Sequence, residues 1–313
     1  MIKYLLIGML LMPSYAMAGW QYSDKKVPDQ ESFINTESGS TIKVYTWYPD
    51  NYGSDKEYNA VVMAHGCGGA HYKDEPDKWT SKYISGKYKV WGKLLSDKNL
   101  VVILVDSFTT RDEGGDVGGG VCSSSDSLAR PTKIDPVSVR PADIAHAIKY
   151  LRENGDIAIN KVGVLGFSNG GTSALVLANH KDLERRNKEL AYEGKIWFDI
   201  SFIREYQADL IVSMYPGCAL NGYSQETQGI FYEQFSTYTD TFLIAASDDT
   251  SLPDNTKEKC KNLRVLDAYS SFENSNMKTK VVENTNHQFD YKEIDEAPVE
   301  DAVKSIISLF ESM

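Results

Sequence analysis

The segment Gly166-Phe167-Ser168-Asn169-Gly170 sets a serine between glycines two residues to either side. It follows a short apolar run, Val162 to Leu165, and leads into the small-residue stretch Gly171 to Asn179. A strand, a sharp turn and a helix in that order hold a serine hydroxyl exposed on a strained turn. Glycines at the flanking positions let strand and helix approach without Cβ clashes. The helix N-terminus behind the serine favours negative charge there. The chemistry this allows is nucleophilic attack by Ser168. The spacing fits neither the dinucleotide G-x-G-x-x-G nor the P-loop, which needs a Lys-Ser/Thr pair.

A serine nucleophile needs a base, and the chain offers five histidines, at 65, 71, 146, 180 and 287. His146 falls mid-helix, His180 ends the helix behind the serine, and His71 lies in a polar stretch without a placed partner. His287 sits in Asn284-Thr285-Asn286-His287-Gln288-Phe289, after the last expected strand and before the last expected helix. Loops at that position emerge at the carboxyl edge where a parallel sheet gathers its functional groups, so His287 is the expected general base. The orienting acid should follow the strand Thr241 to Ala246, where Asp248 and Asp249 are adjacent. Counting from the strand end selects Asp248 to hold the imidazole and stabilise the imidazolium.

Two backbone N–H groups should face the developing oxyanion. One is expected from Asn169, next after the nucleophile. The other is expected from His65-Gly66-Cys67-Gly68-Gly69, which follows the apolar run Ala60 to Ala64. Cys67 is the first choice and Gly68 the alternative. His65 is read as a buried structural histidine, because a triad requires a single base.

These residues require a scaffold that brings strand ends to one edge. Short apolar runs at Ala60 to Ala64, Leu100 to Val105 and Val162 to Leu165 read as strands covered on both faces. Thr41 to Trp47 alternates as a half-buried strand, and Ala208 to Met214, Thr241 to Ala246 and Thr279 to Val282 continue the series. Between them lie helices. One has Pro141 near its first position and Asn154-Gly155 at its end, and the last opens at Pro298 with an apolar face from Val299 to Phe310. The alternation predicts one α/β domain with a mostly parallel central sheet and helices on both faces. Residues 112–130, rich in glycine, read as a loop. Residues 180–206 read either as a cap or lid insertion or as a long surface helix.

The remaining features bound the class. Lys3, the apolar run Tyr4 to Met12 and Ala16-Met17-Ala18 have the form of a secretory signal peptide over residues 1–18, too short for a stable membrane span. That leaves a single domain over residues 19–313, exported to the periplasm or secreted, with no stable membrane insertion. The net charge of -11 without a basic run argues against nucleic-acid binding. An aromatic content of 11% excludes a disordered chain. The four cysteines, at 67, 122, 218 and 260, allow two disulfides in three pairings. Their spacing excludes the usual zinc pairs.

Taken together, several stretches resemble the dienelactone hydrolase family of α/β hydrolases. They are His65 to Gly69, Asp106 to Arg111 with Cys122, Val139 to Asp143, Gly166 to Gly171, Tyr215 to Cys218, Ser247 to Asp249 with Pro253 and Cys260, and His287 with Phe289-Asp290. They span residues 60–290 in the family's order, with Ser, acid and His in the α/β-hydrolase sequence. The resemblance implies an α/β-hydrolase fold and hydrolysis of a small-molecule ester or lactone through an acyl-enzyme, without metal or organic cofactor. A peptidase or acyl-transferase on the same triad is the alternative. The family's founding enzymes carry a cysteine nucleophile where this chain has Ser168. Aligning the acid loop on Pro253 selects Asp249 instead of Asp248. The resemblance also implies Cys67–Cys122 and Cys218–Cys260 pairing. It makes Arg111 a candidate for holding a substrate carboxylate, the alternative being a structural pairing with an aspartate.

Overall fold

The computed structural model describes residues 25–111, 139–179, 200–216, 237–249, 277–292 and 297–313, together with 134 and 184 and apart from 38, 54, 76, 77 and 157. The expected leader and the whole of the glycine-rich stretch 112–130 lie outside the described residues, as does most of the stretch 180–206.

Long β-branched and aliphatic runs make the sheet. Strand β6 (Leu100–Asp106), buried at every position, pairs in parallel with β3 (Glu57–Ala64). On the other side of β3 follow β7 (Ala158–Phe167), β8 (Leu210–Met214), β9 (Asp240–Ala246) and β10 (Met277–Val282), all parallel. Beyond β6 the direction reverses: β2 (Thr41–Trp47) pairs antiparallel with β6, and β1 (Gln30–Asn35) antiparallel with β2. The eight-stranded order is therefore β1-β2-β6-β3-β7-β8-β9-β10. The mostly parallel sheet expected from the sequence is what the chain forms. The sequence reading placed neither β1 nor the hairpin of β4 (His71–Glu75) and β5 (Lys78–Ile84).

Helices cover both faces. On one lie α1 (Gly86–Ser96) and α6 (Ala297–Glu311), whose Val299, Ala302, Val303, Ile306, Ile307 and Phe310 are all buried. On the other lie α2 (Val139–Glu153), α3 (Asn169–Ala178) and α4 (Ile200–Glu205), a short helix. Phe202 of α4 packs near the His146 ring, with centroids 4.3 Å apart, so the described end of the stretch 180–206 is packed on the scaffold. A last short helix, α5 (Phe289–Lys292), precedes α6. Among the described residues no helix is long and apolar enough to cross a membrane.

Candidate active site

Strand β7 ends at Phe167, and the next residue turns sharply. Ser168 has φ 52° and ψ -114°, a conformation a residue with a Cβ adopts only under constraint. The constraint is visible on both sides of it. Its N–H donates to the Met214 carbonyl of β8 at 2.9 Å, and its own carbonyl accepts from Thr172 N–H at 2.9 Å. A Cβ on Gly166 would lie 2.3 Å from the Gly170 oxygen. One on Gly170 would lie 2.2 Å from the Ala64 oxygen and 2.5 Å from that of His65. Both glycines are needed for α3 to sit this close to the ends of β7 and β3, and that closeness aims the hydroxyl outward.

The hydroxyl meets His287. The Nε2 of His287 lies 2.9 Å from Ser168 Oγ, and its Nδ1 lies 2.6 Å from Asp249 Oδ2. A carboxylate only accepts, so the contacts assign the proton to Nδ1 and leave Nε2 free to accept from the serine. The Tyr215 ring packs edge-on to the imidazole with centroids 4.8 Å apart, and the His287 N–H donates to Asn286 Oδ1 at 2.7 Å.

The aspartate in contact is Asp249, which corrects the expectation of Asp248. Past β9 the chain stays tied to the loop after β10. Ser247 N–H donates to the Val282 carbonyl at 3.1 Å and Asp248 N–H to the Thr285 carbonyl at 2.9 Å. This extension leaves the Asp248 side chain exposed and buries that of Asp249.

The opposite wall of the site is the loop after β3. A Cβ on Gly66 would lie 3.4 Å from Ser168 Cβ, so this backbone runs directly beside Ser168. Gly66 N–H donates to the Tyr88 hydroxyl at 2.9 Å, and its carbonyl accepts from Gly69 N–H at 3.1 Å. His65 is fully buried. Its Nδ1 lies 2.7 Å from the Gly66 carbonyl, and its Nε2 accepts from Ser107 N–H at 3.3 Å. Burial and the neighbouring Arg140 charge push its pKa well below the usual histidine value. It is a neutral structural histidine. Cys67 is disulfide-bonded. Cys122, Cys218 and Cys260 lie outside the described residues.

Arg111 does not reach toward Ser168. Its guanidinium forms a two-pronged pair with Asp143, Nη1 to Oδ2 at 2.6 Å and Nη2 to Oδ1 at 2.7 Å, and bonds Ser107 O and Ser40 Oγ. The expectation that it holds a substrate carboxylate is corrected: every prong of the fork is spent on the scaffold. The expectation of a partnerless, looped His71 is corrected too. It is buried at the start of β4, with Nε2 2.8 Å from the Tyr45 hydroxyl.

Behind His287, Tyr215 and Asp290 meet two residues that the sequence does not single out, Lys87 and Trp91. Asp290 accepts from the Tyr215 hydroxyl at 2.6 Å and from Trp91 Nε1 at 2.7 Å, while Lys87 bonds the Tyr215 hydroxyl and lies 3.6 Å from Asp290. Burial lowers the Lys87 pKa against the pull of Asp290. Burial raises that of Tyr215, with Asp290 adding to it. Lys87 and Trp91 stand one turn apart on α1. Among the described residues no group of three or more His, Cys, Asp or Glu side chains is placed to hold a metal ion.

No family model matches the chain, and no curated protein matches it. Solved structures do. The apo form of Thermogutta terrifontis esterase 2 aligns with a TM-score of 0.54 at 14% identity, covering 92% of this chain and 96% of that one. The same esterase phosphorylated by paraoxon gives 0.56 at 14% identity, over 92% and 95%. A Pyrobaculum calidifontis esterase gives 0.53 at 15% identity, over 93% and 87%. At such identities the likeness is one of fold, and the chain has the α/β-hydrolase fold.

Proposed function

We propose that this chain is a serine hydrolase that cleaves carboxylic esters or lactones through an acyl-enzyme, with Ser168 as nucleophile, His287 as general base and Asp249 as orienting acid. The observation that carries the reading is His287 bridging Ser168 Oγ at 2.9 Å and Asp249 Oδ2 at 2.6 Å, with the serine on a positive-φ turn. Ser168 Oγ attacks the ester carbonyl carbon while its proton passes to Nε2. The alcohol takes that proton as the carbon–oxygen bond breaks. Water then attacks the acyl-enzyme, gives a proton to Nε2 and releases the acid as Ser168 is reprotonated. Asp249 keeps its charge throughout and stabilises the imidazolium. The amides of Asn169 and Cys67 are the proposed oxyanion donors.

Two of the solved neighbours support an ester substrate by what they are, esterases, one of them phosphorylated by paraoxon. Within that reading we place the chain near the dienelactone hydrolases. We also take it to be exported by the leader at residues 1–18 and braced by Cys67–Cys122 and Cys218–Cys260. The disulfide at Cys67 supports an oxidising location.

The test is fluorophosphonate labelling, in which a Ser168 Oγ–P bond forms, fluoride leaves and the serine proton passes to His287. A panel of short-chain esters, lactones and peptide amides accompanies it. Labelling lost in Ser168→Ala, with ester turnover exceeding amide turnover, is the expected result. Full labelling of Ser168→Ala overturns the nucleophile, and amide turnover above ester turnover selects a peptidase.

A further inference from the structure

Arg140 opens the first turn of α2 and is 1% exposed. Its Nη1 donates to Asn169 Oδ1, and its Nη2 donates to the His65 carbonyl at 2.6 Å. The Phe108 ring centroid lies 5.2 Å from the guanidinium carbon. Asp143, one turn along the helix, gives both its oxygens to Arg111. A buried cation held by an amide oxygen and a carbonyl, with its Nε unbonded, costs stability that well-packed apolar residues would not. Its pKa, lowered by burial to about 10, still leaves it charged at neutral pH.

The two acceptors belong to the two segments that flank the serine, the start of α3 and the loop after β3. Asn169 is the residue after the nucleophile. The His65 carbonyl belongs to the peptide unit before Gly66, whose N–H is fixed by the Tyr88 hydroxyl at 2.9 Å. The His65–Gly66 peptide is therefore pinned at both its polar ends, one residue before Cys67. A guanidinium is planar and rigid, so a fork with one prong on each segment sets their separation and orientation.

We propose that Arg140 is a positioning residue that clamps the start of α3 to the loop after β3, the two segments proposed to donate to the oxyanion, and places a fixed positive charge behind them. This rests on the serine-hydrolase reading above. Preorganised donors aimed at the developing oxyanion supply much of the rate in acyl transfer, and a misplacement of about 1 Å costs about 100-fold. The clamp acts on the transition state and not on ground-state binding, so its loss belongs in kcat.

The experiment compares wild type, Arg140→Met, Arg140→Lys and Asn169→Ala, measuring kcat, KM and the rate of fluorophosphonate labelling at Ser168. Arg140→Met should lower kcat and the labelling rate together by about 100-fold, with KM within about threefold. Arg140→Lys, which restores charge without the fork, should recover part of both. A folded Arg140→Met protein that keeps both rates within about threefold of wild type overturns the clamp, however much its melting temperature falls. So does a loss confined to KM. If Arg140→Met does not fold, Asn169→Ala decides: it removes one prong's acceptor and should slow labelling by about tenfold, and an unchanged rate overturns the proposal. Labelling keeps the two readings apart. A wild type that labels at Ser168 but turns over no ester sinks the esterase reading while the labelling rates still decide Arg140. A wild type that does not label overturns both.

Discussion

Asp249 receives the Nδ1–H of His287 at 2.6 Å, while the backbone of Asp248, one residue earlier, is spent on the Thr285 carbonyl and its side chain stands in solvent. Two adjacent carboxylates thus have separate roles, one locking the imidazole tautomer and one lying on the surface. Replacing Asp249 with asparagine should keep the fold and lower kcat by about 10⁴-fold, because an amide can hold the wrong tautomer. Asp248→Asn should change turnover little, since an exposed charge contributes at most about 1 kcal/mol. Steady-state kinetics of the two variants, each checked by thermal melt, distinguishes them. Normal turnover in Asp249→Asn would move the acid role elsewhere.

The part of the site that local sequence dictates was the part that could be read. The buried strands showed as unbroken apolar runs. Ser168 showed because an elbow needs Gly166 and Gly170 at fixed offsets, and His287 because it follows the last strand. Asp249 was not separable from Asp248 by counting, since Ser247 and Asp248 prolong the pairing toward Val282 and Thr285 across 35 or more positions of chain. Arg111 and Asp143, like Lys87, Tyr215 and Asp290, meet only once the sheet has assembled. Nothing in their neighbours along the chain encodes such a meeting. The β4–β5 hairpin lacked alternation, so its pairing carried no periodic signal either.

Gly170 tests the elbow directly. A methyl group there would enter the space of the Ala64 and His65 carbonyls, at 2.2 and 2.5 Å, and backbone cannot swing aside as a side-chain end can. Gly170→Ala should push α3 off the strand ends, destabilise by about 1 to 3 kcal/mol, and cost activity out of proportion because Ser168 moves with the helix. Gly155→Ala is the matched control, with nothing within 4 Å of its added Cβ. Urea unfolding and ester turnover measured on both variants would expose an error if Gly170→Ala behaved like Gly155→Ala.

The Arg111–Asp143 pair predicts a stability effect without a specificity effect. Both side chains are nearly buried, and removing the arginine strands a carboxylate in the interior. Arg111→Ala should cost about 3 to 5 kcal/mol in unfolding free energy. Replacing both partners together, as Arg111→Met with Asp143→Leu, should cost less than either single change. The ratio of turnover on anionic to neutral esters should stay as in wild type. A selective loss on anionic esters would return Arg111 to the substrate site.

Two of the buried histidines, His65 and His146, give the protein a pH-dependent stability with a definite sign. In His65 the Nδ1–H serves the Gly66 carbonyl and Nε2 accepts from Ser107 N–H. In His146 the Nδ1–H serves the Ala142 carbonyl at 2.7 Å and Nε2 accepts from Glu37 N–H at 3.0 Å. Both rings are satisfied only when neutral, and a second proton would face an N–H donor. Burial lowers both pKa values below 6.5, that of His65 strongly. The unfolded chain therefore binds protons that the folded chain refuses. Stability from these groups is complete above pH 6.5 and is lost as pH falls from there toward the lowered folded values. Each contributes a limiting slope of about 1.4 kcal/mol per pH unit in that window. Unfolding free energies from urea titrations at pH 7.5, 6.5 and 5.5 should fall on acidification. His146→Gln, which keeps an acceptor and a donor but cannot titrate, should make the fall shallower by about that one-proton slope. A His146→Gln protein with the wild-type slope would show that this histidine is protonated in the folded state as readily as in the unfolded one.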